Sequence, residues 1–176
     1  MAGIPFDTEF DFEYGKPDQL SPLIRRVIAN NPSPFTFTGT GTYIIGTGKV
    51  AVIDPGPLLD AHVDAILAAL GPDESVSHIV VTHTHLDHSP ACTPLQARTG
   101  APIYSFSPPD PEAFDGPRLE EDADDDFKPD HIVAHGDRIE GENWTLECVF
   151  TPGHMANHMC YALREEKALF TGDHVM

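Results

Sequence analysis

The segment Thr82-His-Thr-His-Leu-Asp-His88 follows directly on an apolar run, His78 to Thr82, and places His83, His85, Asp87 and His88 within six residues. This feature constrains the fold more than any other. The apolar run reads as a buried strand, so it needs a sheet, and the polar residues behind it need an open strand end. Such an end is rigid, and the loop leaving it can turn several side chains toward one point. Neutral imidazole suits zinc, and a carboxylate adds charge to the site.

Two weaker signals repeat the arrangement. Thr151-Pro-Gly-His154 and Phe170-Thr-Gly-Asp173 each follow a strand pattern. Alone, the first is an ordinary turn with an exposed histidine, and the second an ordinary Gly-Asp strand end. Three strand-end loops that all carry metal-type donors are another matter, because ligands in α/β sheets gather beyond the carboxyl ends of strands.

The rest of the chain supplies that sheet. Residues 1 to 34 read as irregular and proline-punctuated, with Leu23 to Ala29 a strand or a short helical turn. Thr42 to Ile45 and Lys49 to Ile53 form a hairpin around Gly46-Thr-Gly48, broken by Asp54-Pro-Gly56. Leu59, Val63, Ile66, Leu67 and Leu70 recur at helical spacing until Gly71-Pro72. Ser89-Pro90 reads as the N-cap and first turn of a second helix that Gly100 ends. Strand patterns return at Pro102 to Tyr104, Ile132-Val133, Trp144 to Phe150, His158 to Leu163 and Ala168 to Thr171. Residues 105–130, rich in proline and then acid, read as a solvated surface insertion. The class expected is α/β or α+β, one domain over residues 1–176 built on a sheet core.

Charge narrows the partners. Ten basic against 28 acidic residues give −18. Such a surface repels phosphate backbones and anionic membranes at long range, which disfavours nucleic acid and leaves a small molecule as the expected substrate. The three cysteines, Cys92, Cys148 and Cys160, form no C-x-x-C pair and fall in apolar patterns, so they read as core residues in a reducing cytoplasm. No signal peptide and no membrane-spanning run is expected. Of the other histidines, His62 reads as a surface residue of the first helix, His78 as structural, and His131 and His135 as turn residues. His158 reads as packing or as outer support for the site.

Taken together, the motifs resemble the metallo-β-lactamase superfamily. Its H-x-H-x-D-H pattern matches positions 83 to 88, its later histidine matches His154, its bridging aspartate matches Asp173, and Asp54-Pro-Gly56 resembles its early Asp-x-Gly turn. Asn31 to Tyr43 and Thr151 to Met159 look like the lactamase-beta-like endoribonuclease group, related to the glyoxalase II hydrolases. The resemblance implies an αββα sandwich with metals at one edge, His83, His85 and His154 on the first ion, Asp87 and His88 with a further histidine on the second, and Asp173 bridging. Two zinc ions are implied, with manganese or iron also compatible with these donors. A metal-dependent hydrolase acting on a carbonyl or phosphoryl centre follows, with Asp87 as its catalytic residue and a small ester or thioester as substrate. The alternatives are a single-stranded RNA endonuclease and a non-catalytic metal-binding protein; a mononuclear iron persulfide dioxygenase shares the first motif. Asp173, where the commonest zinc β-lactamases carry cysteine, argues against lactam hydrolysis. The further histidine would follow Asp173 by several tens of residues, whereas the sequence stops at Met176 and His174 is not at its position. The C-terminal part of the fold is therefore expected to be missing. The oligomeric state is left open by the sequence.

Overall fold

The computed structural model describes residues 11–107 and 123–175. The chain opens with an antiparallel meander of β1 (Pro17–Ser21), β2 (Ile24–Ile28), β3 (Gly41–Ile45) and β4 (Lys49–Ile53). Helix α1 (Asp60–Ala68) then carries the chain to β5 (Ser75–Val80), and α2 (Cys92–Thr99) carries it to β6 (Ile103–Ser105). Strand β7 (His131–Ile132) completes a seven-stranded sheet in the order β1 to β7, parallel from β4 onward. A second, antiparallel sheet holds β8 (Arg138–Glu140), β9 (Thr145–Phe150), β10 (Met159–Leu163) and β11 (Ala168–Phe170), in the order β11-β10-β9-β8.

The layers follow from side-chain alternation along the strands. In β4, Val50 and Val52 join Val63, Ile66, Cys92 and Leu95 in a core between the first sheet and the helices. Ala51 and Ile53 point the other way, into a core shared with Trp144, Leu146, Tyr161 and Leu163 of the second sheet. The first sheet is thus covered on both faces, as a sheet with parallel strands must be. Both α1 and α2 belong to the helix-side core, so three layers of the expected four-layer sandwich lie among the described residues. No helix among them is long and apolar enough to cross a membrane.

Several expectations need correction. Residues 17–28 are a strand pair rather than irregular chain. Pro17 is tolerated because it opens an edge strand, where its missing N–H breaks no internal ladder. Leu23 to Ala29 resolves as strand β2. Ser89 is not a helix cap: α2 starts after Ala91 without a side-chain cap, and Ser89 Oγ donates instead to Asp124 Oδ2 at 2.8 Å. Gly100 does end that helix, in the left-handed conformation at φ 72°. His62 is buried rather than on the surface. It shares its helix face with Val63 and Ile66, and its Nε2 lies 2.8 Å from Thr42 Oγ1 on β3. The segment 105–130 is solvated only in part. Residues 108–122 lie outside the described residues, Asp125, Asp126, Lys128 and Asp130 are exposed, but Ser105 is buried in β6 and Phe127 in the helix-side core. Trp144 and the three cysteines are buried, and the cysteines are free.

Candidate metal centre

The topology brings four chain turns to one edge. Strands β4 and β5 are parallel, so Asp54 and the loop from Thr82 leave the first sheet on the same side. In the second sheet, β9 and β11 both run antiparallel to β10, so the turns at His154 and Asp173 also share a side. The sheets are stitched at this edge by the Met159 N–H, which donates to Thr82 O at 2.8 Å. Hence the three loops singled out in the sequence meet.

One donor atom from each of His83, His85, His154 and Asp173 lies within 4.8 Å of the others. His85 Nδ1 is 3.1 Å from His83 Nε2 and 3.0 Å from His154 Nε2. Asp173 Oδ2 is 3.5 Å from His154 Nε2 and 4.0 Å from His83 Nε2. On the other side of Asp173, His88 Nε2 is 3.3 Å from Asp173 Oδ1 and 3.3 Å from Asp87 Oδ2. All six residues named by the sequence are therefore adjacent. His174 is exposed, its ring 6.0 Å from that of His158, and it is not one of the four converging donors.

Residues that the sequence did not single out as site residues hold these six. Asp54, at φ 49°, accepts from the Thr82 N–H and the Thr82 hydroxyl, each at 2.7 Å, and lies 3.0 Å from His88 Nδ1. Aspartate tolerates this left-handed backbone better than most residues. With Nδ1 fixed, His88 presents Nε2 to the site, the usual way an outer carboxylate orients a ligand imidazole. Thr40 donates its hydroxyl to Asp87 Oδ2 at 2.8 Å, and Asn31 braces Thr40 through both its amide atoms. Thr82 Oγ1 lies 3.0 Å from His83 Nδ1, leaving His83 Nε2 to face the cluster. His158, buried, holds Thr151 Oγ1 at 2.9 Å and lies alongside His83, its ring 5.1 Å away and tilted 31°, so its place is outer support. Gly172, at φ 47°, permits this closeness, since a Cβ there would fall 2.7 Å from Thr82 Oγ1 and 2.8 Å from His158 Nε2.

Electrostatics divide the histidines. Burial pushes His83 far below the ordinary imidazole range, and the neighbouring His88 and His85 push it further, so its lone pair is available. For His88 burial acts downward too, but the carboxylates of Asp54, Asp173 and Asp87 more than reverse it and raise the ring well above the ordinary imidazole range, drawing positive charge, a proton or a cation in its place, to this spot. Burial would raise Asp87, yet its bond to His88 and the Thr40 hydroxyl bring it down to about 2. Asp173 is likewise lowered, burial being outweighed by His88. Imidazole nitrogens crowded beside carboxylates are the donor set of a divalent cation.

Comparison with known proteins agrees. The profile of the metallo-beta-lactamase superfamily matches residues 36–176. The chain is 36% identical over 161 residues to atrochrysone carboxyl ACP thioesterase nsrC of Aspergillus novofumigatus, covering 90% of this chain and 45% of that protein. It is 32% identical over 166 residues to the beta-lactamase-like protein 2 homolog of Caenorhabditis elegans, covering 90% and 52%. Among solved structures, BJP-1, a subclass B3 metallo-beta-lactamase of Bradyrhizobium japonicum, superposes with a TM-score of 0.64 at 25% identity, over 84% of this chain and 56% of that one. The chain spans about half the length of the curated relatives it matches.

Proposed function

Because this chain belongs to the metallo-beta-lactamase superfamily, we propose that it serves as a metal-dependent hydrolase of a small ester or thioester. The observation that carries this reading is the convergence of His83, His85, His154 and Asp173 donor atoms within 4.8 Å. The thioesterase among the relatives directs it toward thioesters. Zinc is the metal proposed: His83, His85 and His154 would hold a first ion, Asp87 and His88 a second, with Asp173 between them. Bound there, zinc would polarise a carbonyl and bring water's pKa from 15.7 to about 7.

The chain's own groups do the rest. Asp87 is ionised at neutral pH, so its carboxylate accepts a hydrogen from water and orients a lone pair at the carbonyl carbon. Thr40 fixes the carboxylate for this task, and Asp54 fixes His88 beside it. The reaction balances simply. Water's oxygen bonds the acyl carbon, the C–S bond breaks, the thiol leaves with one proton, and a carboxylate and a second proton remain. The −18 charge still disfavours an RNA substrate, and the three buried free cysteines suit a reducing cytoplasm.

The test is hydrolysis of simple thioesters, before and after chelation, with metal per chain measured by elemental analysis. Activity lost on chelation, restored by zinc and absent from Asp87→Ala is the expected result. Tight metal binding without turnover of any ester, thioester or RNA would leave a metal-binding protein and overturn the hydrolase.

A further inference from the structure

His154 stands on a closed loop, residues 151–158. The Thr151 N–H donates to His158 O at 3.0 Å, and Thr151 Oγ1 lies 2.9 Å from His158 Nδ1, so the same two residues clasp the neck twice. Inside the loop, the N–H groups of Gly153 and His158 both donate to Met155 O at 3.2 Å, and Met155 is buried. A loop tied in this way moves as one piece. Its seat against the loop from Thr82 therefore decides where His154 Nε2 stands relative to His83 and His85.

The neck is seated by the Met159 N–H, which donates to Thr82 O at 2.8 Å. Further along the loop, Asn157 Nδ2 donates to Thr84 Oγ1 at 3.2 Å. Thr84 lies between His83 and His85 in the chain, and its carbonyl accepts the Asp124 N–H at 2.7 Å, so the hydroxyl is offered from a held backbone. Both Asn157 and Thr84 are 1% exposed. Stability alone would not put an asparagine here. Its Oδ1 is buried and has no hydrogen-bond partner among the described residues. A buried amide oxygen left unpaired is costly, and a leucine of similar size would avoid that cost. What the asparagine supplies is the bond to Thr84.

We propose that Asn157 is a positioning residue for the first metal ion: through Thr84 it holds the His154 loop at the spacing from His83 and His85 that one ion requires. The proposal rests on the zinc reading above. Zinc–nitrogen bonds tolerate little change in length, so a loop that drifts loses affinity even where every ligand is still present. The bond is thus expected to matter to the metal more than to the fold.

The experiment measures three quantities on the wild type and on Thr84→Val, Thr84→Ser and the double variant Thr84→Val/Asn157→Leu. They are zinc affinity by competition with a chromophoric chelator, the visible spectrum of the cobalt-loaded protein, and the Tm of the metal-free protein. Thr84→Val should weaken zinc about tenfold or more and shift the cobalt bands. It should also lower the Tm, because Asn157 then has neither amide atom paired. Thr84→Ser keeps the hydroxyl and should bind zinc within about twofold of the wild type, with the cobalt spectrum unchanged. The double variant replaces both partners by apolar side chains of similar size. Its Tm should return to the wild-type value or above, while zinc stays about tenfold weak and the cobalt bands stay shifted. A double variant that recovers affinity along with Tm, one that stays as unstable as Thr84→Val, or a Thr84→Ser that loses as much affinity as Thr84→Val would overturn the proposal. A wild type that binds no zinc would overturn the metal reading and this proposal together. None of the three readouts needs turnover, so failure of the hydrolase reading alone leaves the positioning role standing.

Discussion

His62 gives the sharpest test of how the fold supports the site. Its ring is 5% exposed and packs behind the Asp54-Pro-Gly56 turn, where a Cβ on Gly56 would lie 3.1 Å from it. Thr42 donates its one hydroxyl proton to Asp54 O at 2.7 Å, so its oxygen accepts from His62 Nε2–H. Burial lowers His62 from 6.5 to about 4. The sign follows: the unfolded chain takes the proton first, so this contribution to stability is present above pH 6.5, is lost as pH falls toward 4, and is gone below it. Each pH unit between those two values is worth about 1.4 kcal/mol, so the loss between pH 7.5 and 4.5 is about 2.5 kcal/mol. His62→Gln keeps a donor for Thr42 and cannot titrate. Urea unfolding at both pH values, followed by the fluorescence of buried Trp144, should show the variant losing about 2.5 kcal/mol less than the wild type between them. Other buried histidines titrate in both proteins and cancel in the difference. Equal losses would refute the placement of His62 as a neutral buried support.

Three further outcomes are expected. Asp54→Ala leaves the buried Thr82 N–H without its acceptor and frees His88, so stability should fall by about 1–3 kcal/mol and metal affinity by about 10–100-fold in a chelator competition. An unchanged affinity would mean that His88 needs no brace. Gly172→Ala drives a methyl into Thr82 and His158 at a left-handed backbone position, and should cost about 1–3 kcal/mol, read as a lowered Tm. Asp124→Ala removes only the acceptor of Ser89 Oγ, while the backbone bond from its N–H to Thr84 O at 2.7 Å persists; a loss of about 1 kcal/mol with unchanged metal content is expected, and metal loss would show that this segment holds His85.

The six candidate ligands are legible in the sequence because few side chains can do their work. A metal admits His and Asp at strand ends, and three such ends in order leave little choice beyond His83, His85, Asp87, His88, His154 and Asp173. The braces are not legible for the opposite reason. Any hydroxyl, amide or carboxylate can supply one hydrogen bond, and Thr40 reaches Asp87 across 47 residues and Asp54 reaches His88 across 34. Single-sequence patterns register neither partner nor distance. The misreadings share that cause. His62 is polar by composition, but the hydroxyl that admits it to the interior sits 20 residues earlier, on strand β3. Ser89 has the chemistry of a cap, yet Asp124 claims its hydroxyl. Pro17 reads as punctuation until an edge makes its missing N–H harmless.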